Sequence, residues 1–302
     1  MTRWLPVLFF LASAGAAQAL VPQEREVARA LSFGGSCAGC EFDGQKLPGA
    51  TFTGGHFGGA SLIGTDLREA EMLGVNFGRA DFTRANLRGA TMMGSNFSNA
   101  NFGRAIMSGA EAHGSNFSRA NMTGAKLDRS ELHSASFAGA RLQNADLSRA
   151  ELVGANLAKV IALSADFSRA ELHGANMSGG QFQKVSFRNA SLVGANLTGA
   201  VFEDADMRGA ELNAANLSGA DFSSARNLRQ EQLEQACGNS ATRLPKGLSV
   251  SECRGRMRNV VRVIVPPKPP TPPAPPKTST CVTVTVPGPS GQTVTKRGCS
   301  TP

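Results

Sequence analysis

The sequence predicts a repeat protein, a solenoid in which one short unit recurs along a single axis, and two observations say so. From Phe42 to Phe222 every fifth position is bulky and apolar, with 15 Leu, 14 Phe and 6 Met over 37 positions and only Ala112 and Ala162 departing from the pattern. Two residues before each of these positions the chain usually places a small residue, Ala in 26 of the 37 cases. A five-residue period matches neither a helix nor a strand, so its meaning lies in repeat architecture. The composition permits a core, since 41% of the 302 residues are hydrophobic, close to a globular chain before Gly is counted.

The unit reads Ala-(Asp/Asn)-Leu-x-x, as in Ala85-Asn86-Leu87-Arg88-Gly89 and Ala145-Asp146-Leu147-Ser148-Arg149. This consensus resembles the pentapeptide-repeat family, over about 180 residues of the chain. The resemblance implies an all-β solenoid, a right-handed quadrilateral β-helix in which four pentapeptides make one square coil and the Leu/Phe and Ala positions point inward. A square coil also demands a period of 20, and the sequence has one. The position before the central apolar residue is Asn at 76, 96, 116, 156, 176, 196 and 216, interrupted by Ser136. A second column at the same spacing is Glu at 71, 111, 131, 151, 171 and 211, interrupted by Thr91 and Ser191. The 37 units make about nine coils, and at roughly 4.8 Å per coil the rod is about 43 Å long. Exposed edges remain only at its ends, which need caps.

The elements follow in chain order. Residues 1–19 combine Met-Thr-Arg, an apolar stretch from Trp4 through Ala12 and the small-residue ending Ala17-Gln18-Ala19, the pattern of a cleaved secretory signal. That predicts a periplasmic or secreted protein. Residues 20–40 form an N-terminal cap with a short helix over Pro22–Leu31, and residues 41–225 form the repeat body. The stretch Asn227–Ala236 is predicted as a closing helix, ended near Gly238. In the family such terminal helices cap the core, and homodimerisation through them is left open. Arg254, Arg256, Arg258 and Arg262 then alternate with apolar residues as a short basic strand within a segment ending at 265. Residues 266–280 form a Pro-rich linker, in which Pro266–Pro276 has eight Pro in eleven residues and spans about 34 Å as polyproline II. Residues 281–302 read as a hairpin whose ends, Cys281 and Cys299, can be stapled.

Six Cys in an exported chain favour disulfides over metal sites, and the local pairs are Cys37/Cys40, Cys237/Cys253 and Cys281/Cys299. A redox role for Cys37-x-x-Cys40 would need a thioredoxin-like βαβ pattern, and none surrounds it. Beyond the N-terminus there is no run of eighteen apolar residues, which argues against an integral membrane protein. Charge is uneven along the chain. Residues 41–222 carry 16 Lys and Arg against 18 Asp and Glu, whereas residues 223–302 carry 12 against 3. A nearly neutral, exported rod lacks the acidic surface that the family's DNA mimics present to topoisomerases, so that mechanism is disfavoured. Of 17 Phe, 14 occupy inward repeat positions, leaving no aromatic platform for sugars or unpaired bases. No specific nucleic-acid partner is expected.

Two chemical readings remain. Glu111, His113, Glu131, His133, Glu171 and His173 share one face, with His113 and His133 about 5 Å apart on adjacent coils. Imidazole and carboxylate together suit Zn, Ni or Cu. The competing reading is a solvated face, because Arg129, Arg149 and Arg169 form a column one corner away and offset the acidic repulsion. The second reading concerns the basic tail, where Arg254, Arg256, Arg258, Arg262, Lys296 and Arg297 suit peripheral contact with anionic membrane or wall polymers. Ser, His and Asp occur without a nucleophile arrangement. The expectation is a non-enzymatic scaffold without cofactor, serving a protein or an anionic envelope component, with divalent-metal binding as the alternative.

Overall fold

The computed structural model describes residues 35–253, together with the strands Cys281–Pro287 and Thr293–Cys299. The signal segment, the predicted N-terminal helix, the basic segment and the Pro-rich linker lie outside the described residues. Within them the chain is a β solenoid.

The backbone explains why five residues make one side of a coil. Leu87 N–H donates to Ile106 O (2.6 Å) and Ile106 N–H donates back to Ala85 O (2.9 Å), which ties two neighbouring coils together. The chain then turns, with Gly89 at φ +64° and Ala90 N–H bonded to Leu87 O at 3.0 Å. A turn whose third residue is left-handed is type II, and Gly suits that position best. Parallel bridges repeat at 20 residues from Ser36↔His56 to Asp206↔Arg226, with four bridged positions per coil. The ladder therefore already includes Ser36, ahead of the first consensus unit.

The inward pattern is complete. Every central position from Phe42 to Phe222 is at most 3% exposed, including Ala112 and Ala162. Equivalent rings on successive coils stack. Phe77, Phe97, Phe117 and Phe137 follow one another at centroid separations of 5.8, 5.1 and 5.1 Å, inside the favourable range for aromatic pairs. Four of the small inward slots hold hydroxyls that are buried yet satisfied. Thr65 donates to Phe42 O (2.7 Å), Ser95 to Met72 O (2.6 Å), Ser130 to Leu127 O (2.6 Å), and Ser115 to Met92 O, which offsets their desolvation. Gly180 occupies another such slot because a Cβ there would lie 2.5 Å from the Phe182 ring.

The Asp/Asn of the consensus also has a local cause. Asn76 Oδ1 accepts the N–H of Gly78 (2.9 Å), Asp81 that of Thr83 (2.8 Å) and Asp166 that of Ser168 (2.8 Å), so the side chain caps the next turn. The amides then link along the rod, Asn96 Nδ2 to Asn76 Oδ1 at 2.9 Å and Asn196 Nδ2 to Asn176 Oδ1 at 3.2 Å. Ser136 interrupts this ladder and meets Ser118 instead, hydroxyl to hydroxyl at 2.9 Å.

The closing helix predicted over Asn227–Ala236 does not form. A 3-10 helix of three residues, Gln230–Gln232, stands in its place. Both ends of this stretch are committed to the solenoid, since Arg226 bridges Asp206 and Cys237 bridges Asn216. Between them the chain has to satisfy the open edge of the last coil. Gln232 Nε2 donates to Met207 O (2.8 Å) and Ala210 O (2.6 Å), while Leu233, 1% exposed, covers the core. Cys237–Gly238 then pairs in parallel with Ser251–Glu252, and Cys237 is bonded to Cys253 with a Cα separation of 4.8 Å. At the other end Cys37 is bonded to Cys40. Strands Cys281–Pro287 and Thr293–Cys299 pair antiparallel, with Cys281 opposite Cys299 in register.

Candidate functional site

Side chains that leave the core emerge in columns, so each face carries the residue type its column repeats. On the Glu face the structure brings together His113, Glu131 and His133, whose potential ligand atoms all lie within 4.8 Å of one another. The two imidazoles stack at 4.9 Å with planes 7° apart. His113 Nε2 lies 3.2 Å from a Glu131 oxygen, and His133 Nε2 lies 2.9 Å from Glu151. His133 Nδ1 is buried and has no hydrogen-bond partner. Glu171 and His173 fall outside this group, because Val153 takes the histidine position on the intervening coil, and Glu111 does so with Met93 at that position on the coil before it.

Glu151 is a member of this row that the 20-residue columns do not pick out as a partner for His133. Its signal is a diagonal of 18 residues, from the residue after one central position to the residue before another on the next coil. The same offset joins Arg188 to Asp206, Ser168 to Ser186 and Ser61 to Asp43.

The expected partnership between the Arg column and the Glu row is not what the side chains do. Glu131 and Glu151 contact histidines, while Arg129 lies 3.5 Å from Asp128. Arg129, Arg149 and Arg169 instead line a neighbouring groove of about 570 Å³, with Arg188 and Arg208. Asp206, 5% exposed in its side chain, receives Arg188 Nε at 2.5 Å, Asn227 Nδ2 at 2.7 Å and the N–H of Arg208 at 3.1 Å. Burial pushes its carboxyl upward, but these donors outweigh that and hold it down at about 2. The basic tail and its six predicted cations lie outside the residues whose side chains are described.

A stacked apolar core with polar columns on its faces defines a β-solenoid, and the sequence comparisons give its family. Pentapeptide-repeat models match residues 36–99 and 150–226, and a pentapeptide-repeat-region model matches residues 80–157. The chain belongs to the pentapeptide-repeat family. Among solved structures it is similar to HetL, a pentapeptide repeat protein involved in heterocyst differentiation regulation in the cyanobacterium Nostoc sp. strain PCC 7120. The two share 25% identity over 70% of this chain and 92% of HetL, with a TM-score of 0.61. QnrB1, a plasmid-mediated fluoroquinolone resistance protein, matches at 18% identity over 68% of this chain and 94% of its own, with a TM-score of 0.42. A pentapeptide repeat protein of the Arabidopsis thaliana thylakoid lumen matches at 31% identity over 42% of this chain and 77% of its own, with a TM-score of 0.18. A comparison with curated protein sequences finds no match.

Proposed function

We propose that the chain is a non-enzymatic, exported scaffold, a rod of about nine coils whose flat faces dock a protein or envelope partner. The observation that carries this reading is the sorting of surface charge, with a Glu/His row on one face and an arginine-lined groove beside it, over an interior filled with Leu, Phe, Met and Ala. Such a rod holds binding groups at a fixed pitch and needs no moving part. Export rests on the signal pattern of residues 1–19, and the tail is assigned to contact with anionic envelope surface on its charge alone. Among the described residues no helix is long and apolar enough to cross a membrane.

The test is a pull-down from envelope extract with the mature chain, with a chain ending at Val265, and with the face variant Glu131→Gln/Glu151→Gln. The expected result is a partner retained by the first two and lost by the third. Full-length, uncleaved protein in the cytoplasmic fraction overturns the exported reading.

Divalent-metal binding is the second reading, favoured by the His113, Glu131 and His133 cluster and by the unpartnered Nδ1 of His133. A bound zinc would need ligand atoms at about 2.0–2.2 Å, so the parallel rings would have to turn toward a common point. Calorimetry with zinc chloride decides between the readings. Heat tighter than about millimolar that vanishes in His113→Ala/His133→Ala establishes the metal site, and its absence removes it.

A further inference from the structure

The near neutrality of the rod conceals one strongly basic surface. Arg129, Arg149 and Arg169 occupy the same corner on three consecutive coils, each at a left-handed φ of 56°, 60° and 61°. Type II corners favour Gly there, and this corner is Gly in other coils, at Gly89, Gly109 and Gly209. Three guanidiniums of one column, on rungs about 4.8 Å apart, repel one another. Arg149, Arg169 and Arg208 have no ion pair among the described residues. A second groove of about 610 Å³ shares Asp128, Arg129 and Asp146 with the first and adds Arg88 and Lys126. The joined grooves thus hold seven cations against two carboxylates.

We propose that this surface binds an extended, phosphate-bearing polyanion along the rod axis. From the rung of Arg88 to that of Arg208 is six coils, or about 29 Å, too long for one small anion and suited to a linear polymer. Arg presents a planar fork that grips phosphate in pairs of hydrogen bonds. Each internal phosphoryl unit of such a polymer keeps two non-bridging oxygens on a tetrahedral phosphorus, so guanidiniums on neighbouring rungs can approach it from different directions, whereas the two oxygens of a carboxylate lie in one plane. Every Phe among the described residues is buried, so the groove reads backbone charge and stacks no bases. This proposal rests on the scaffold reading and names the partner class of one face.

The probe is long-chain inorganic polyphosphate, titrated against the mature full chain. Arg149→Gly/Arg169→Gly removes two charges while placing Gly where φ is already positive, so the fold is retained. A tail variant, Arg254→Gln/Arg256→Gln/Arg258→Gln/Arg262→Gln, separates the groove from the tail. The expected result is a loss of about tenfold or more in affinity on the groove substitutions, in both the natural and the tail-variant backgrounds. The slope of log affinity against log salt should fall by about one for each guanidinium removed. Binding unchanged by the groove substitutions overturns the proposal, as does equal affinity for polyglutamate or tighter binding to anionic phospholipid vesicles. If polyphosphate fails while the envelope partner is still retained in the pull-down, the groove assignment falls and the scaffold reading stands.

Discussion

Asp206 is the only buried charged side chain among the described residues, and its replacement gives a measurable account of how the last coils are held. Its carboxyl is displaced from 3.8 to about 2 by the donors of Arg188, Asn227 and Arg208, which outweigh burial. A displacement of that size corresponds to about 2 kcal/mol of stability. Because the folded value lies below the unfolded one, the contribution is fully present above about pH 4 and is lost as pH falls through about 2. Asp206→Asn preserves shape and removes the charge, so at pH 7 it should lower the unfolding free energy by about 2 kcal/mol. Asp66, held down by the Arg68 side chain, and Asp221, held down by the Ser223 hydroxyl, also titrate below the usual range. Both are common to the two proteins and cancel in the difference. Urea unfolding at pH 7, 4.5 and 2 is the assay. A variant as stable as the natural chain at pH 7, or a gap that stays constant down to pH 2, would refute the reasoning.

The core and the caps give further outcomes. Leu147→Ala should cost about 2–5 kcal/mol by opening a cavity between coils, and Ala145→Leu about 1–3 kcal/mol by overfilling a slot. Ser148→Ala should stay within about 0.5 kcal/mol, and denaturant melts that rank it with Leu147→Ala would disprove the inward assignment. Gly180→Ala restores the consensus yet should destabilise by about 1–3 kcal/mol, because the new Cβ meets the Phe182 ring at 2.5 Å. A rise in melting temperature would count against that packing. Cys237→Ser/Cys253→Ser opens a closure of 16 residues and should cost about 3 kcal/mol. Hydrogen exchange should show the loss first in the coils near Phe222, and uniform loss along the rod would contradict an end-capping role.

The inward positions and the 20-residue coil were legible in the sequence because each is a property of one unit repeated. A central Leu or Phe, a small residue two places before it and a left-handed corner are each specified within five residues, and stacking only multiplies them. The Asn ladder was legible for the same reason, since equal residues at equal phase must meet. Tertiary structure alone decided the contacts that run out of phase. Glu151 joins His133, and Asp206 joins Arg188, through the 18-residue diagonal created by the pleat of neighbouring coils. The arginine groove was hidden because net charge averages over all four faces, whereas a groove collects only the corners that border it. The stretch 227–236 carries helix-forming residues, but the open carbonyls of Met207 and Ala210 needed donors, and a tight turn presenting Gln232 supplied them where a helix bonded to itself would not.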